Sequence, residues 1–170
     1  MPINPTTKVS ASTFQQCDGT NFTTVGVENS FKAGSGCVGT YTGIGLSFDG
    51  KPANAVLDVK GSVPYGDSIV SGGFRVRNNL GENSQTVQFR IQPATVTVPV
   101  GEKTNLYATP YVATKVNYKT GETSTQGGIF GGVSQKVGKA SIFVEGQIYD
   151  ATKINASTTS INVGVSIPIN

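Results

Sequence analysis

The sequence predicts an all-β chain, an antiparallel up-and-down β-barrel of eight strands over residues 39–170 behind an N-terminal extension over 1–38. Three observations carry that expectation. Apolar residues alternate with polar or small ones at a period of two along eight successive segments, as strands with two unlike faces require. The segments run to ten residues or more, beyond the roughly five or six usual in globular sheets. Charged residues make up only 14% of the 170 residues and apolar ones 36%, both low for a soluble domain. Much of the exterior is therefore expected to face something other than water.

The first segment, GTYTGIGLSF, sets Thr42, Ile44, Leu46 and Phe48 against Tyr41, Gly43, Gly45 and Ser47. The second sets Ala55, Leu57, Val59 and Val63 against Asp58, Lys60 and Ser62. In the third, Val70, Phe74 and Val76 oppose Ser71, Gly73, Arg75 and Arg77. The fourth opens with Val87, Phe89 and Ile91 against Gln88, Arg90 and Gln92. Its phase slips at Pro93, after which Val96, Val98 and Val100 take the apolar side. A β-bulge accounts for the slip, and proline, which cannot donate to a ladder, suits that place.

The fifth segment sets Leu106, Ala108, Val112 and Val116 against Tyr107, Thr109, Tyr111, Lys115 and Asn117. The sixth opposes Ile129, Gly131, Val133 and Val137 to Gln126, Gly128, Phe130, Ser134 and Lys136. Ile142, Val144 and Ile148 then face away from Ser141, Phe143, Glu145, Gln147 and Tyr149. The chain closes on SINVGVSIPIN, with Ile161, Val163, Val165, Ile167 and Ile169 along one edge. The connections YGDS, GEKTN and Gly138-Lys139 are compact, whereas DGKPAN, NNLGENS, TGETST and DATKINAS are polar and looser. Short turns thus gather at one end and longer loops at the other.

The opening 38 residues are read differently. VSASTF and FTTVGVENSF could add two strands, making ten. Cys17 and Cys37 argue against it if they are joined. Disulfide Cα atoms lie within about 7 Å, while a spanning strand separates its ends by roughly 30 Å. The expectation is a disulfide-closed extension or plug in an oxidising compartment, with ten strands and unpaired cysteines as the alternative. MPINPTTK has neither a charged n-region nor an apolar h-region, so the expectation is either a cytoplasmic protein or a mature form with an added initiator Met, and the cysteines favour the second.

Alternation alone does not say which face meets which solvent. The polar edge mixes Gly and Ser with Tyr111, Phe130, Phe143 and Tyr149, a small-and-large set suited to a confined barrel interior. The apolar edge is mostly small and medium aliphatics, as a lipid-facing surface would be. A soluble β-sandwich or lipocalin-like barrel is the alternative. On LYATPYVATKVNY, GGVSQKVGKASIFVEGQIYDA and SINVGVSIPI, residues 39–170 resemble the small outer-membrane β-barrels of bacteria, the superfamily that includes the membrane domain of outer-membrane protein A. Cyanobacterial outer-membrane proteins are one lineage to consider. The resemblance implies a bacterial outer-membrane location, a lipid bilayer as environment and a monomer. The closing strand looks like the insertion signal of such proteins, although it ends in Ile169 and Asn170 rather than an aromatic.

Chemistry narrows the function. The chain has no His, which excludes Ser–His and Cys–His nucleophiles, and two cysteines alone make no zinc site. No enzyme activity and no cofactor are expected. A net charge of +3 without aromatic residues set among basic ones argues against nucleic acid. If the polar edge faces inward, Lys60, Arg75, Arg77, Arg90, Lys115 and Lys136 meet Asp58 and Glu145, a lumen excess of +4. The expected function is a passive channel for small solutes whose basic lining favours inorganic anions. The alternatives are a non-conducting barrel with its charges paired, or a surface-binding or adhesion barrel acting through its loops.

Overall fold

The computed structural model describes residues 6–16, 21–47, 51–80, 86–155 and 158–169. Ten antiparallel strands follow in chain order: β1 Thr6–Gln16, β2 Asn21–Ala33, β3 Gly36–Ser47, β4 Pro52–Tyr65, β5 Ser68–Asn79, β6 Thr86–Pro99, β7 Thr104–Asn117, β8 Thr123–Val137, β9 Ala140–Ile148 and β10 Thr159–Pro168. Each pairs with its sequence neighbours, and β1 pairs with β10 from Lys8 opposite Pro168 to Gln16 opposite Ser160, closing the barrel.

Three of the compact turns share one cause. Ala33 pairs with Gly36, Tyr65 with Ser68 and Val137 with Ala140, leaving two-residue links that each begin with glycine. Gly34, Gly66 and Gly138 take φ of 59–60°, and no non-glycine residue among those described has a positive φ. Glycine first in a two-residue link is the type II′ signature, whose twist matches the flanking strands.

The phase slip at Pro93 is a bulge. Ile91 pairs with Val112, but Val96 pairs with Ala108, so β6 carries one extra residue against β7. The same shift occurs against β5 between Ser71 and Gly73. The exposed Pro93 lies in this interval, where its missing N–H costs no ladder bond.

The expected eight strands are corrected to ten, and the expected extension over 1–38 is corrected with them. Residues 6–16 and 21–33 are wall strands that fill the space between β10 and β3. The expected disulfide fails too, because Cys37 is an exposed free thiol in β3; Cys17 lies outside the described residues. The assumed bridge was the argument against ten strands, so both errors have one source. β1 also hid its nature, because its outward face includes Thr7, Thr13 and Gln15 beside Val9 and Ala11.

The polarity of the wall is inverted relative to a soluble fold. Ile44, Ile91 and Ile161 are 53%, 63% and 54% exposed, whereas Arg90 and Gln92 are 1% exposed and Asp58 6%. Because β1 and β2 complete the cylinder, a chain starting at residue 36 would leave β3 and β10 as open edges. Deleting residues 1–35 is expected to abolish the protease-resistant β-rich species. Limited proteolysis with circular dichroism checks this, and a resistant eight-stranded product would show that β3 and β10 can pair directly.

Candidate functional site

The inward faces of the strands build the site. A continuous register runs from Lys8 through Glu28, Tyr41, Asp58 and Arg75 to Arg90, each opposite the next on the adjoining strand. Arg77 follows two residues along β5 and pairs in register with Gln88, which pairs with Lys115. Period-two geometry places these residues on one face, and closure turns that face to the inside.

Large rings in the interior sit on glycines. A Cβ added at Gly26 or Gly43 would collide with the Tyr41 ring and hydroxyl, and one at Gly128 with Tyr111. A Cβ at Gly164 would likewise strike the Phe143 ring. At these four positions of the polar edge the absent side chain makes room for an inward aromatic ring.

The interior has two unlike halves. Along β6 to β9 it is packed. The Arg90 guanidinium carbon lies 4.0 Å from the Tyr111 ring centroid and 5.8 Å from that of Phe130. Gln147 Nε2 donates to the Tyr111 hydroxyl at 2.8 Å, and that hydroxyl donates to the Ile148 carbonyl at 3.2 Å. The Thr95 and Thr109 hydroxyls are joined at 2.7 Å.

Along β1 to β5, β9 and β10 the interior is hollow, a cavity of about 400 Å³. Its cations are Lys8, Lys60, Arg75 and Arg77, and its carboxylates Glu28, Asp58 and Glu145, with Tyr41, Phe143 and Val56 beside them. Arg75 Nε and Nη2 both donate to Asp58 Oδ2, at 3.0 and 2.6 Å. Tyr107 donates its hydroxyl to Glu145 Oε2 at 3.1 Å, reaching across Gly132.

Arg90 is the unusual member. All three of its guanidinium nitrogens are buried without a hydrogen-bond partner, and so is the Gln92 side-chain amide. A desolvated cation–π contact contributes about 2 kcal/mol, less than the several kcal/mol that burial of an ion costs. The Tyr111 stack therefore does not offset the burial of Arg90. Its direct neighbour across the ladder, Arg75, adds repulsion.

The predicted lining residues divide accordingly. Asp58, Lys60, Arg75, Arg77 and Glu145 line the cavity. Arg90 is sealed in the packed half, and half-buried Lys115 lies on the inward face of β7 beside the Arg77–Gln88 pair. Lys136 is exposed near the β8–β9 turn. Lys8 and Glu28 were missed because their strands were assigned to the extension; the alternation of Val25 and Val27 against Glu28 was the available signal. Among the described residues no group of three His, Cys, Asp or Glu side chains is placed to hold a metal. Outside the wall, the β9–β10 loop is pinned by Asp150. The Thr152 hydroxyl and backbone N–H donate to its Oδ1 at 2.6 and 2.9 Å, and hold its carboxyl below the ordinary range.

The fold and interior define a closed antiparallel barrel with an apolar outside and a charged inside. No protein-family model and no curated protein matches the sequence. Among solved structures, a barrel described as de novo design of transmembrane β-barrels matches over 96% of this chain and 95% of its own, at 12% identity and TM-score 0.47. OmpT, an outer-membrane protein of Vibrio cholerae, in its trimer form, matches over 94% of this chain and 64% of its own, at 16% identity and TM-score 0.45. The β-domain of the Bordetella autotransporter BrkA matches over 97% and 98%, at 10% identity and TM-score 0.39. These likenesses are too distant to assign a family, activity or partner.

Asp58 is the only hydrogen-bonded acid for Arg75 among the described contacts. Asp58→Asn is expected to cost about 3–5 kcal/mol, as breaking one side of a buried pair does. The double variant Asp58→Asn/Arg75→Gln should recover much of the loss. Denaturant midpoints of the detergent-folded proteins measure both, and equal midpoints for wild type and Asp58→Asn would remove the pair from the account of stability.

Proposed function

We propose that this chain is a membrane-spanning β-barrel of the bacterial outer-membrane type, acting as a single copy, whose lumen admits small solutes and favours anions. The inversion of polarity is the observation that carries the reading. Isoleucines, valines and Phe74 and Phe89 stand exposed around the wall, while formal charges of seven strands point inward. In lipid every backbone polar group must be paired internally, and a closed ladder meets that demand. The strand lengths of 9–15 residues fit tilted spans. Short turns at one end and longer loops at the other match the usual periplasmic and outer faces.

Anion preference follows from the cavity's four cations against three carboxylates, with Arg75 and Asp58 already paired. Fixed positive charge in a narrow low-dielectric lumen raises local anion concentration. Lys60 and Arg77, which face the open half, are the residues assigned the selectivity role. With no His in the chain, no acyl-transfer step is assigned. A second reading, a non-conducting structural barrel, is favoured by the packed Arg90–Tyr111–Phe130 half.

Two measurements test the reading. Ile129, exposed in the middle of β8, should tolerate Arg poorly, since a charge at the bilayer midplane costs about 2–4 kcal/mol. Folding yield into vesicles, scored by heat-dependent gel mobility, should fall for Ile129→Arg; an unchanged yield would argue against a lipid-facing wall. In planar bilayers under a KCl gradient, the wild type should show a reversal potential of anion-selective sign, and Lys60→Glu/Arg77→Glu should shift it toward cations. Absence of conductance from properly inserted protein would leave the structural barrel as the surviving reading.

A further inference from the structure

We propose that the lumen holds a binding site for small oxyanions, such as inorganic phosphate or sulfate, built from Arg75, Arg77 and Arg90. The proposal rests on the reading of the inward face as a solute-accessible lumen and names the class of solute it takes. Arg75 and Arg77 are two residues apart on the inward face of β5 and line the cavity. Arg90 stands directly across from Arg75 on β6. Within the trio Arg75 donates two hydrogen bonds to Asp58.

The second observation is the state of Arg90. Its side chain is 1% exposed, and its Nε and both Nη atoms have no acceptor. Tyr111 covers a face of the guanidinium but accepts nothing from its edge. The next inward residue, Gln92, likewise has both its amide nitrogen and its amide oxygen unpartnered. Buried donors in native proteins are paired with protein, water or ligand, and the edge of the Arg90 guanidinium is a set of donors with no protein acceptor. Turning the guanidinium off the Tyr111 ring toward β5 would bring it to the cavity wall that Arg75 and Arg77 already form.

Planar guanidinium forks distinguish among anions. Each presents paired N–H donors that match two oxygens of one acceptor, which phosphate, sulfate and carboxylate offer and a halide does not. A basic lining of lysines would concentrate chloride and phosphate by charge alone. Three neighbouring arginines add selection by shape. Lys115, on the inward face of the adjoining β7, supports the same sign of ligand without the fork.

The test uses the full chain folded in an uncharged sugar detergent, with inorganic phosphate, sulfate and chloride titrated calorimetrically at constant ionic strength. Saturable binding of phosphate and sulfate, with chloride at least tenfold weaker, is expected. Arg90→Gln and Arg77→Gln should each weaken phosphate binding by tenfold or more, while Lys139→Gln, on the exposed β8–β9 turn, should leave it unchanged. Arg90→Lys keeps the charge and loses the fork, so it should also weaken phosphate. Heat-dependent gel mobility confirms that each variant is folded; if Arg90→Gln fails to fold, Arg90→Lys and Arg77→Gln carry the test. Equal responses to chloride and phosphate, or wild-type affinity in Arg90→Lys, would overturn the site. Binding without bilayer conductance would defeat the channel reading alone, and conductance without phosphate binding would defeat this one alone.

Discussion

The ladder between β1 and β10 is the constraint on which the rest depends. Nine residue pairs, from Lys8–Pro168 to Gln16–Ser160, join the first strand to the last and leave no unpaired edge. An open sheet of ten strands with this apolar face would expose two rows of backbone donors and acceptors, which neither lipid nor a soluble monomer tolerates well. Closure also decides what every side chain does. With a period of two and a fixed register, joining β1 to β10 commits one whole set of residues to the lumen and the other to the outside, and a one-residue slip would exchange them.

Strand number then sets how the interior is filled. A barrel of eight strands has room for little more than its own side chains, and diameter grows with each added strand. Two further strands leave space that the inward residues do not occupy, and the cavity of about 400 Å³ lies against the wall that β1 and β2 help to make. Filling elsewhere is achieved by pairing rings with glycines. Tyr41 lies over Gly26 and Gly43, and Tyr111 over Gly128. Gly26 and Gly128 seat rings that come from the neighbouring strand, so the packing there holds adjacent strands in register as well as excluding space.

Much of this was legible in the sequence, and the gaps have physical reasons. From Tyr41 to Ile167 the two faces of each strand follow the alternation as read, and the β6 bulge falls where the phase slips at Pro93. Local pattern suffices there because one solvent borders a nearly unbroken aliphatic edge. β1 lacks that edge, since Thr7 and Thr13 share its outer face with Val9 and Ala11, and a hydroxyl pair such as Thr13–Thr23 reads as polar on both sides. The cysteines then lent weight to the wrong alternative. Which inward charges meet each other was not legible at all, because Asp58 and Arg75, or Arg75 and Arg90, are brought together by register between strands. Spacing along the chain carries no trace of that register until the turns and bulge are placed.

The packed half of the interior lies beside the bulge in β6. The extra residue in β6 shifts the inward set after Gln92, so Thr95 rather than a residue in simple alternation meets Thr109. Around that point Arg90, Gln92, Thr109 and Ala113 are nearly inaccessible, and Tyr111 and Phe130 close over them. A bulge strengthens local twist and bends its strand, which draws β6 to β8 together over their inward side chains. Arg90 is thus buried without an acceptor on the packed side, while Arg75 and Arg77 line the open side. Charge that is expensive to bury therefore sits where the two halves meet, with Arg90 on the packed side opposite Arg75 on the wall of the cavity.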